Sequence, residues 1–178
     1  AKGFAVTIID GNLLSIDNAV KNIDSEINPD LAFVGFSVMT AQVPWAYKVS
    51  CAIKRSHPSV KVIWGGTHPS LFPEQTAEDS NVDIVVINDA VNTIGLLAHQ
   101  LSKNGDISCI PGLCYCLNGT LRRSPPNNVS DNFDIVPEIN FDLINHHFYS
   151  KKNYISNEAF YSGRYSSSTV YPIITGLG

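Results

Sequence analysis

Short apolar runs alternate with segments of helical periodicity through the first part of the chain. Runs rich in β-branched residues, which favour strands, cover residues 4–9, 31–38, 60–64 and 82–87. Apolar side chains recur every three or four residues, as in helices, over residues 16–27, 44–56, 73–79 and 93–101. This alternation, with strands that are apolar on both faces, predicts a parallel sheet covered by helices on both sides.

Capping residues mark the borders of the predicted helices. Ser15 or Asp17 is placed to cap the first helix, and Pro44 suits the first position of the second. The sequence Lys103-Asn104-Gly105 predicts a glycine cap at the end of the last helix.

The pattern changes after Gly105. Residues 113–117 and 120–123 flank Asn118-Gly119, the strongest two-residue signal for a β-hairpin. A segment with the composition of a linker follows, and the remaining residues show no clear period. We therefore expect an α/β domain over residues 1–108, a β-hairpin extension over 109–123 and a linker tail over 124–178.

The most informative stretch is Val60-Lys-Val-Ile-Trp-Gly-Gly-Thr-His-Pro69, a buried strand that ends in two glycines. Glycine leaves bare backbone that a ligand can approach. In open α/β sheets, ligands bind beyond the carboxyl ends of the strands. A plain turn between strand and helix explains the same glycine pair equally well, so both interpretations stay open.

Composition and charge narrow the class of protein. The chain has 178 residues, is 44% hydrophobic and carries a net charge of −4, which argues against nucleic acid as a partner. No apolar run approaches the length of a membrane span, and we expect a cytoplasmic protein. The four cysteines lack C-x-x-C spacing and are predicted to be free thiols, with no metal role for Cys114 and Cys116.

Four sequence motifs carry a resemblance to a known family. They are Gly35-Phe-Ser-Val-Met-Thr40, Gly65-Gly-Thr-His-Pro-Ser-Leu-Phe-Pro-Glu74, Val82-Asp-Ile-Val-Val-Ile87 and Ile110-Pro-Gly-Leu-Cys-Tyr115. Their order and spacing resemble the N-terminal cobalamin-binding domain of cobalamin-dependent radical SAM enzymes. The resemblance implies a Rossmann-like or flavodoxin-like parallel sheet flanked by helices, with a C-terminal β-hairpin and an irregular tail.

The resemblance also implies a larger enzyme. Similar proteins enter a radical SAM barrel through a strand like Tyr171-Pro-Ile-Ile-Thr-Gly-Leu-Gly178, then a C-x-x-x-C-x-x-C loop that holds a 4Fe-4S cluster. The 178 residues stop before the first such cysteine. We therefore expect no catalytic residue here, and the implied partners are cobalamin and a barrel in cis. The full-length protein would use S-adenosylmethionine in methyl transfer or ring-forming chemistry.

A corrinoid needs an apolar platform, close backbone approach and a few hydroxyl or amide groups. The resemblance assigns these roles to three strand ends: Ser37, Val38, Met39 and Thr40; Gly65, Gly66, Thr67 and His68; Asn88 and Asp89. No histidine matches the position that similar proteins use for cobalt. Asp10-Gly-Asn-Leu-Leu-Ser15 superficially mimics the usual Asp-x-His-x-x-Gly loop, with Asn12 in place of histidine.

The chain departs from the family pattern in two places, and each departure leads to a prediction. Where similar proteins have Gly-Glu-Gly-Glu, this chain has Asn88-Asp-Ala-Val91. Asparagine tolerates a left-handed backbone, whereas Ala90 is expected to disturb the turn and weaken cobalamin binding. The spacing also identifies residues 4–9 as the family's second strand. The usual first strand and helix would then lie upstream, and the sheet would lack its central strand.

Two functions without a corrinoid remain as alternatives. One is a flavodoxin-like small-molecule or signalling domain, for which an acidic cluster and a paired lysine would be expected. Asp10 and Asp89 stand singly in the sequence, so this alternative ranks lower. The other is a degenerate interaction domain that docks on a partner through its sheet and tail.

Overall fold

The computed structural model describes residues 3–127, which belong to the first of two units of the chain, Ala1–Val136. The predicted linker beyond Asn127 and the strand predicted at residues 171–178 lie outside the described residues. The elements are α1 Ile16–Glu26, β1 Val34–Ser37, α2 Val43–Ser56, β2 Val62–Gly65, α3 Thr67–Leu71, α4 Pro73–Ala77, β3 Ile84–Val86, α5 Val91–Leu101, β4 Leu113–Leu117 and β5 Thr120–Arg123.

The five strands form one sheet in the order β1-β2-β3-β4-β5. The first three run parallel, with Ser37 opposite Gly65 at the ends of β1 and β2. The hairpin β4-β5 adds antiparallel strands to β3, so it continues the sheet. The α/β class is confirmed, and the carboxyl ends of the parallel strands lie along one edge.

Apolar clusters cover both faces of the sheet. On one face α1, α2 and α4 pack on Val62, Trp64 and Val85. On the other, α5 packs on Ile63 and Val86. Successive residues of β2 thus enter opposite clusters, as expected for a strand buried on both sides, and the predicted two-sided covering is confirmed.

Local capping follows the sequence at the start of α1 and at the hairpin turn. Ser15 caps α1, because its hydroxyl accepts a hydrogen bond from the N–H of Asn18 at 3.3 Å. Asn118 and Gly119 both have positive φ, of 51° and 73°, as the predicted two-residue hairpin turn requires. After α5, however, Asn104 and not Gly105 takes the left-handed conformation, with φ of 52°.

The prediction of a strand over residues 4–9 is wrong. The segment is outside the sheet, and Val6 and Ile8 are 46% and 51% exposed. A strand exists only through hydrogen bonds to a neighbour, and in the described part of the chain no strand lies beside it. The five strands that do form make one continuous sheet without it.

A charged cluster fixes the opposite, amino-terminal edge of the sheet. The Lys54 ammonium donates to the carbonyls of Pro58 and Val60 and to both oxygens of Asp83, at 2.9–3.2 Å. Asp83 also accepts from the N–H of Val62 at 2.8 Å. Both charged side chains are largely buried, so Asp83 joins the starts of β2 and β3.

Replacing Asp83 by alanine is expected to lower the free energy of unfolding by about 1–3 kcal/mol, because it strips partners from a largely buried ammonium and a backbone N–H. Urea unfolding followed by circular dichroism measures this. The matched control is Glu74→Ala, which breaks an exposed ion pair with Arg123 and should cost about 0–1 kcal/mol. Equal losses for the two variants would contradict the expectation.

Candidate functional site

The loops that follow β1 and β2 are joined by their own backbone at the carboxyl edge of the sheet. The N–H of Val38 donates to the carbonyl of Gly65 at 2.8 Å, and the N–H of His68 donates to the carbonyl of Val38 at 3.0 Å. The Nδ1 atom of His68 lies 3.3 Å from the Thr40 hydroxyl. The structure thus brings the predicted residues of these two strand ends together.

The loop after β3 is tied to the same edge through Ser70 of α3. The Ser70 hydroxyl donates to the carbonyl of Gly66 and accepts from the N–H of Asn88, both at 2.8 Å. All three strand ends assigned from the sequence therefore lie side by side.

A fourth loop, residues 10–14, joins this edge. The carboxamide of Gln42 accepts from the N–H of Met39 at 2.9 Å and donates to Asn12 at 3.0 Å. Asn12 in turn donates to the Asp10 carboxylate at 3.1 Å. Asn12, which superficially replaces the family's histidine, is thus held by hydrogen bonds to both Gln42 and Asp10.

The two glycines at the carboxyl end of β2 differ in what surrounds them. Gly66 has φ of 94° and ψ of −170°, a conformation almost restricted to glycine. A Cβ there would lie 2.7 Å from the Val38 nitrogen. A Cβ on Gly65 would make an ordinary contact of 3.6 Å with the carbonyl of Val86. Gly66 is therefore required by the packing of the protein itself, because the ends of β1 and β2 approach too closely for a side chain at this position.

The side chains after β1 divide into buried and exposed. Val38 is 1% exposed and belongs to the core, so it contributes backbone to the edge and not an apolar surface. Met39 is 57% exposed. Ser37, Thr40 and Thr67 are also exposed. Met39 and the hydroxyls, unlike Val38, remain accessible to a ligand.

Exposed apolar side chains recur along the loops of this edge. Leu13, Met39, Leu71 and Val91 are among them, each at least 42% exposed. Leu71 directly follows Ser70, and Val91 begins α5 after the β3 loop. We call these four residues the edge platform.

The β3 loop keeps the turn despite its departure from the family pattern. Asn88 has φ of 60°, which confirms the left-handed backbone expected there. Ala90 has φ of −93°, which any residue adopts, and its methyl group packs on the α5 face of the core. The expected disturbance of the turn by Ala90 is therefore not seen, and the expected weakening of cobalamin binding stays a prediction. Asp89 accepts from the N–H of Val91 at 3.0 Å and so shapes the start of α5.

His68 lies at this edge, and its ring packs on Phe72 with centroids 5.2 Å apart. Among residues 3–127, no three His, Cys, Asp or Glu side chains are grouped as metal ligands would be. The four cysteines carry free thiols, and burial raises the pKa of the Cys114 thiol. No described helix is long and apolar enough to cross a membrane.

The edge fits the demands of a flat, amide-rimmed macrocycle. The edge platform supplies exposed apolar side chains, and Ser37, Thr40 and Thr67 supply hydroxyl groups on exposed residues of the same edge. The backbone of residues 65–66 is partly exposed. The exposed hydroxyl groups can donate hydrogen bonds to amide carbonyls and accept them from amide N–H groups. These groups fit the ring and the amide side chains of a corrinoid.

The domain belongs to the class of open α/β sheets in which ligands bind beyond the carboxyl ends of the strands. The family described as B12 binding domain matches residues 1–98. The chain belongs to this family. The class of domain and the cofactor expected from the sequence, cobalamin, are thereby confirmed.

Similar proteins are much longer than this chain. An uncharacterized methyltransferase of Pyrococcus horikoshii is 32% identical over 141 residues, which is 78% of this chain and 30% of that protein. The radical S-adenosylmethionine methyltransferase TsrM from Kitasatospora setae has a TM-score of 0.61 at 22% identity, over 71% of this chain and 25% of its own. The chain thus spans under a third of either relative.

A second solved structure shows the same fold. The cobalamin-dependent S-adenosylmethionine radical enzyme OxsB, in complex with aqua-cobalamin and S-adenosylmethionine, has a TM-score of 0.55 at 22% identity. The match covers 65% of this chain and 16% of OxsB. At such identities the likeness to TsrM and OxsB establishes a shared fold.

Three residues that order the site were not found from the sequence. Ser70 and Gln42 bridge neighbouring loops, and Asn127 donates to the carbonyl of Asp89 at 2.6 Å. Polar residues one turn beyond a strand end are common, so their type carries no signal. For Ser70, the prediction of a helix directly after the glycine pair would have placed its hydroxyl over the carbonyl of Gly66, four residues earlier.

Proposed function

We propose that this chain binds cobalamin across the carboxyl edge of its sheet. The observation that carries the proposal is the joining of the three assigned strand ends beside an exposed apolar platform, in a chain of the B12 binding domain family. Bound there, cobalamin would supply a cobalt centre able to carry a methyl group. The chain's own part is to hold and orient the ring.

Different residues of the edge contact different parts of the cofactor. Met39 and the rest of the edge platform pack against the ring, because they are the accessible apolar side chains of these loops. Ser37, Thr40, Thr67 and Asn88 offer exposed polar groups to the amide rim. His68 is assigned a supporting role, since its ring already lies between Thr40 and Phe72.

We further propose that the domain works within a radical SAM methyltransferase and faces a barrel in cis. The name of the Pyrococcus relative and the fold shared with TsrM and OxsB support this. In that protein, S-adenosylmethionine and a 4Fe-4S cluster would be the further cofactors. The free thiols fit a reducing compartment, and the proposal places the protein in the cytoplasm.

Titration of the 178-residue chain with hydroxocobalamin tests the proposal. We expect a shift in the corrinoid absorbance bands and retention of the corrinoid on the protein after gel filtration at micromolar concentration. A chain that leaves the spectrum unchanged and elutes without corrinoid would contradict it. Tight association with a separate barrel protein, again without corrinoid, would favour the interaction-domain alternative.

A further inference from the structure

We infer that Ser70 and Asn127 are positioning residues that hold the β3 loop, residues 87–90, in its ligand-facing conformation. The inference rests on the proposed function, because it concerns how the same site is ordered. Neither side chain is part of the loop. Each reaches it from a different segment, Ser70 from α3 and Asn127 from the chain that leaves the hairpin.

Ser70 acts at the side of the loop next to β2. Its hydroxyl uses its one proton on the carbonyl of Gly66 and a lone pair on the N–H of Asn88. The Asn88 amide therefore has its partner in a neighbouring loop. Because Asn88 has positive φ, this bond selects a conformation that the residue adopts only when its surroundings favour it.

Asn127 acts at the opposite side of the loop. Its carboxamide nitrogen donates to the carbonyl of Asp89 at 2.6 Å and to the Thr93 hydroxyl at 3.2 Å. The segment that carries it is anchored, since the N–H of Gly112 donates to the carbonyl of Pro125 at 2.8 Å. The chain after the hairpin is therefore fastened to the loop that follows β3.

The β3 loop has no regular structure of its own, so its conformation depends on these contacts. A ligand that binds to the loop therefore depends on them too. Asn88 is exposed, whereas Ile87 is buried and pairs with Gly112. Between Ile87 and α5 the backbone is fixed by the Asp89 carboxylate and by the two outside side chains. Removal of either outside contact should loosen Asn88 and Asp89 while the sheet stays intact.

The test combines amide exchange of the cofactor-free chain with hydroxocobalamin binding. In Ser70→Ala, the Asn88 amide should exchange about three- to tenfold faster, and the Kd for hydroxocobalamin should rise by a similar factor, as expected for one lost hydrogen bond. The Val85 amide in β3 should be unchanged. Ser70→Thr keeps the hydroxyl and should restore both values.

Two further variants keep the test decisive. Asn127→Asp keeps the size of the side chain but removes its donors, and should weaken corrinoid binding without involving Ser70. Ser102→Ala is the matched control, because its hydroxyl donates to a backbone carbonyl at the far end of α5. It should alter neither exchange at Asn88 nor the Kd.

The outcomes separate this inference from the proposed function. Unchanged exchange at Asn88 in Ser70→Ala, or equal acceleration at Asn88 and Val85, would overturn the positioning role. Faster exchange with an unchanged Kd would overturn its connection to the ligand. If the unaltered chain binds no hydroxocobalamin, the proposed function fails, whereas local acceleration at Asn88 would still support the ordering of the loop by Ser70.

Discussion

Replacement of Gly66 by alanine is expected to lower the free energy of unfolding by about 2–4 kcal/mol. Two costs combine. The φ of 94° and ψ of −170° are strained for any side chain. The added Cβ would also lie 2.7 Å and 3.0 Å from the backbone nitrogen and oxygen of Val38. Backbone atoms cannot rotate away, so the β1 and β2 ends would have to separate.

Urea unfolding of the 178-residue chain measures this loss, with Gly95→Ala as its control. Gly95 lies inside α5 with no atom within 4 Å of an added Cβ, so alanine there should raise stability by about 0.5–1 kcal/mol. A Gly66→Ala variant as stable as the unaltered chain would contradict the close approach described here. Loss of corrinoid binding by a Gly66 variant would not locate the ligand, because the variant disturbs the edge itself.

Replacement of Met39 by aspartate is expected to weaken hydroxocobalamin binding about 10- to 100-fold. Burial of a methionine side chain contributes about 1.5–3 kcal/mol, and a carboxylate beneath the ring adds a desolvation cost. Because Met39 is 57% exposed without the cofactor, its replacement should leave the free energy of unfolding nearly unchanged. The variant therefore separates ligand contact from folding.

Absorbance titration measures the effect, and Leu96→Asp provides the control. Leu96 is 53% exposed on α5 and lies outside the edge platform, so its replacement should not change the Kd. Similar losses for the two variants would indicate a general effect of added charge. Unchanged binding by Met39→Asp would contradict the assignment of Met39 to the site.

Much of the fold follows from local pattern. The β-branched runs ending in Trp64 and Ile87 predicted strands, and the structure has strands within both. Asn118-Gly119 predicted the hairpin turn because few other residue pairs adopt positive φ twice in succession. The motifs that resemble cobalamin-binding domains led to the family that the comparison then identified.

Other features depended on contacts between distant segments. Residues 4–9 have the composition of a strand, yet pairing needs a neighbour that the described residues do not provide. A two-residue glycine sequence is equally compatible with ligand approach and with tight packing. Only the position of Val38 against Gly66 showed that tight packing requires a glycine there.

The sequence alone determined the α/β class and the hairpin, because periodicity and turn chemistry are local properties. The strand ends on which a corrinoid site was expected came from the resemblance to cobalamin-binding domains. Tertiary structure decided which exposed side chains share that edge and which are buried, as with Met39 and Val38. It also decided which polar groups join the loops, as Ser70 does. Hydrogen bonds and packing across 18 or more residues depend on where the whole sheet places its ends, which no local pattern encodes.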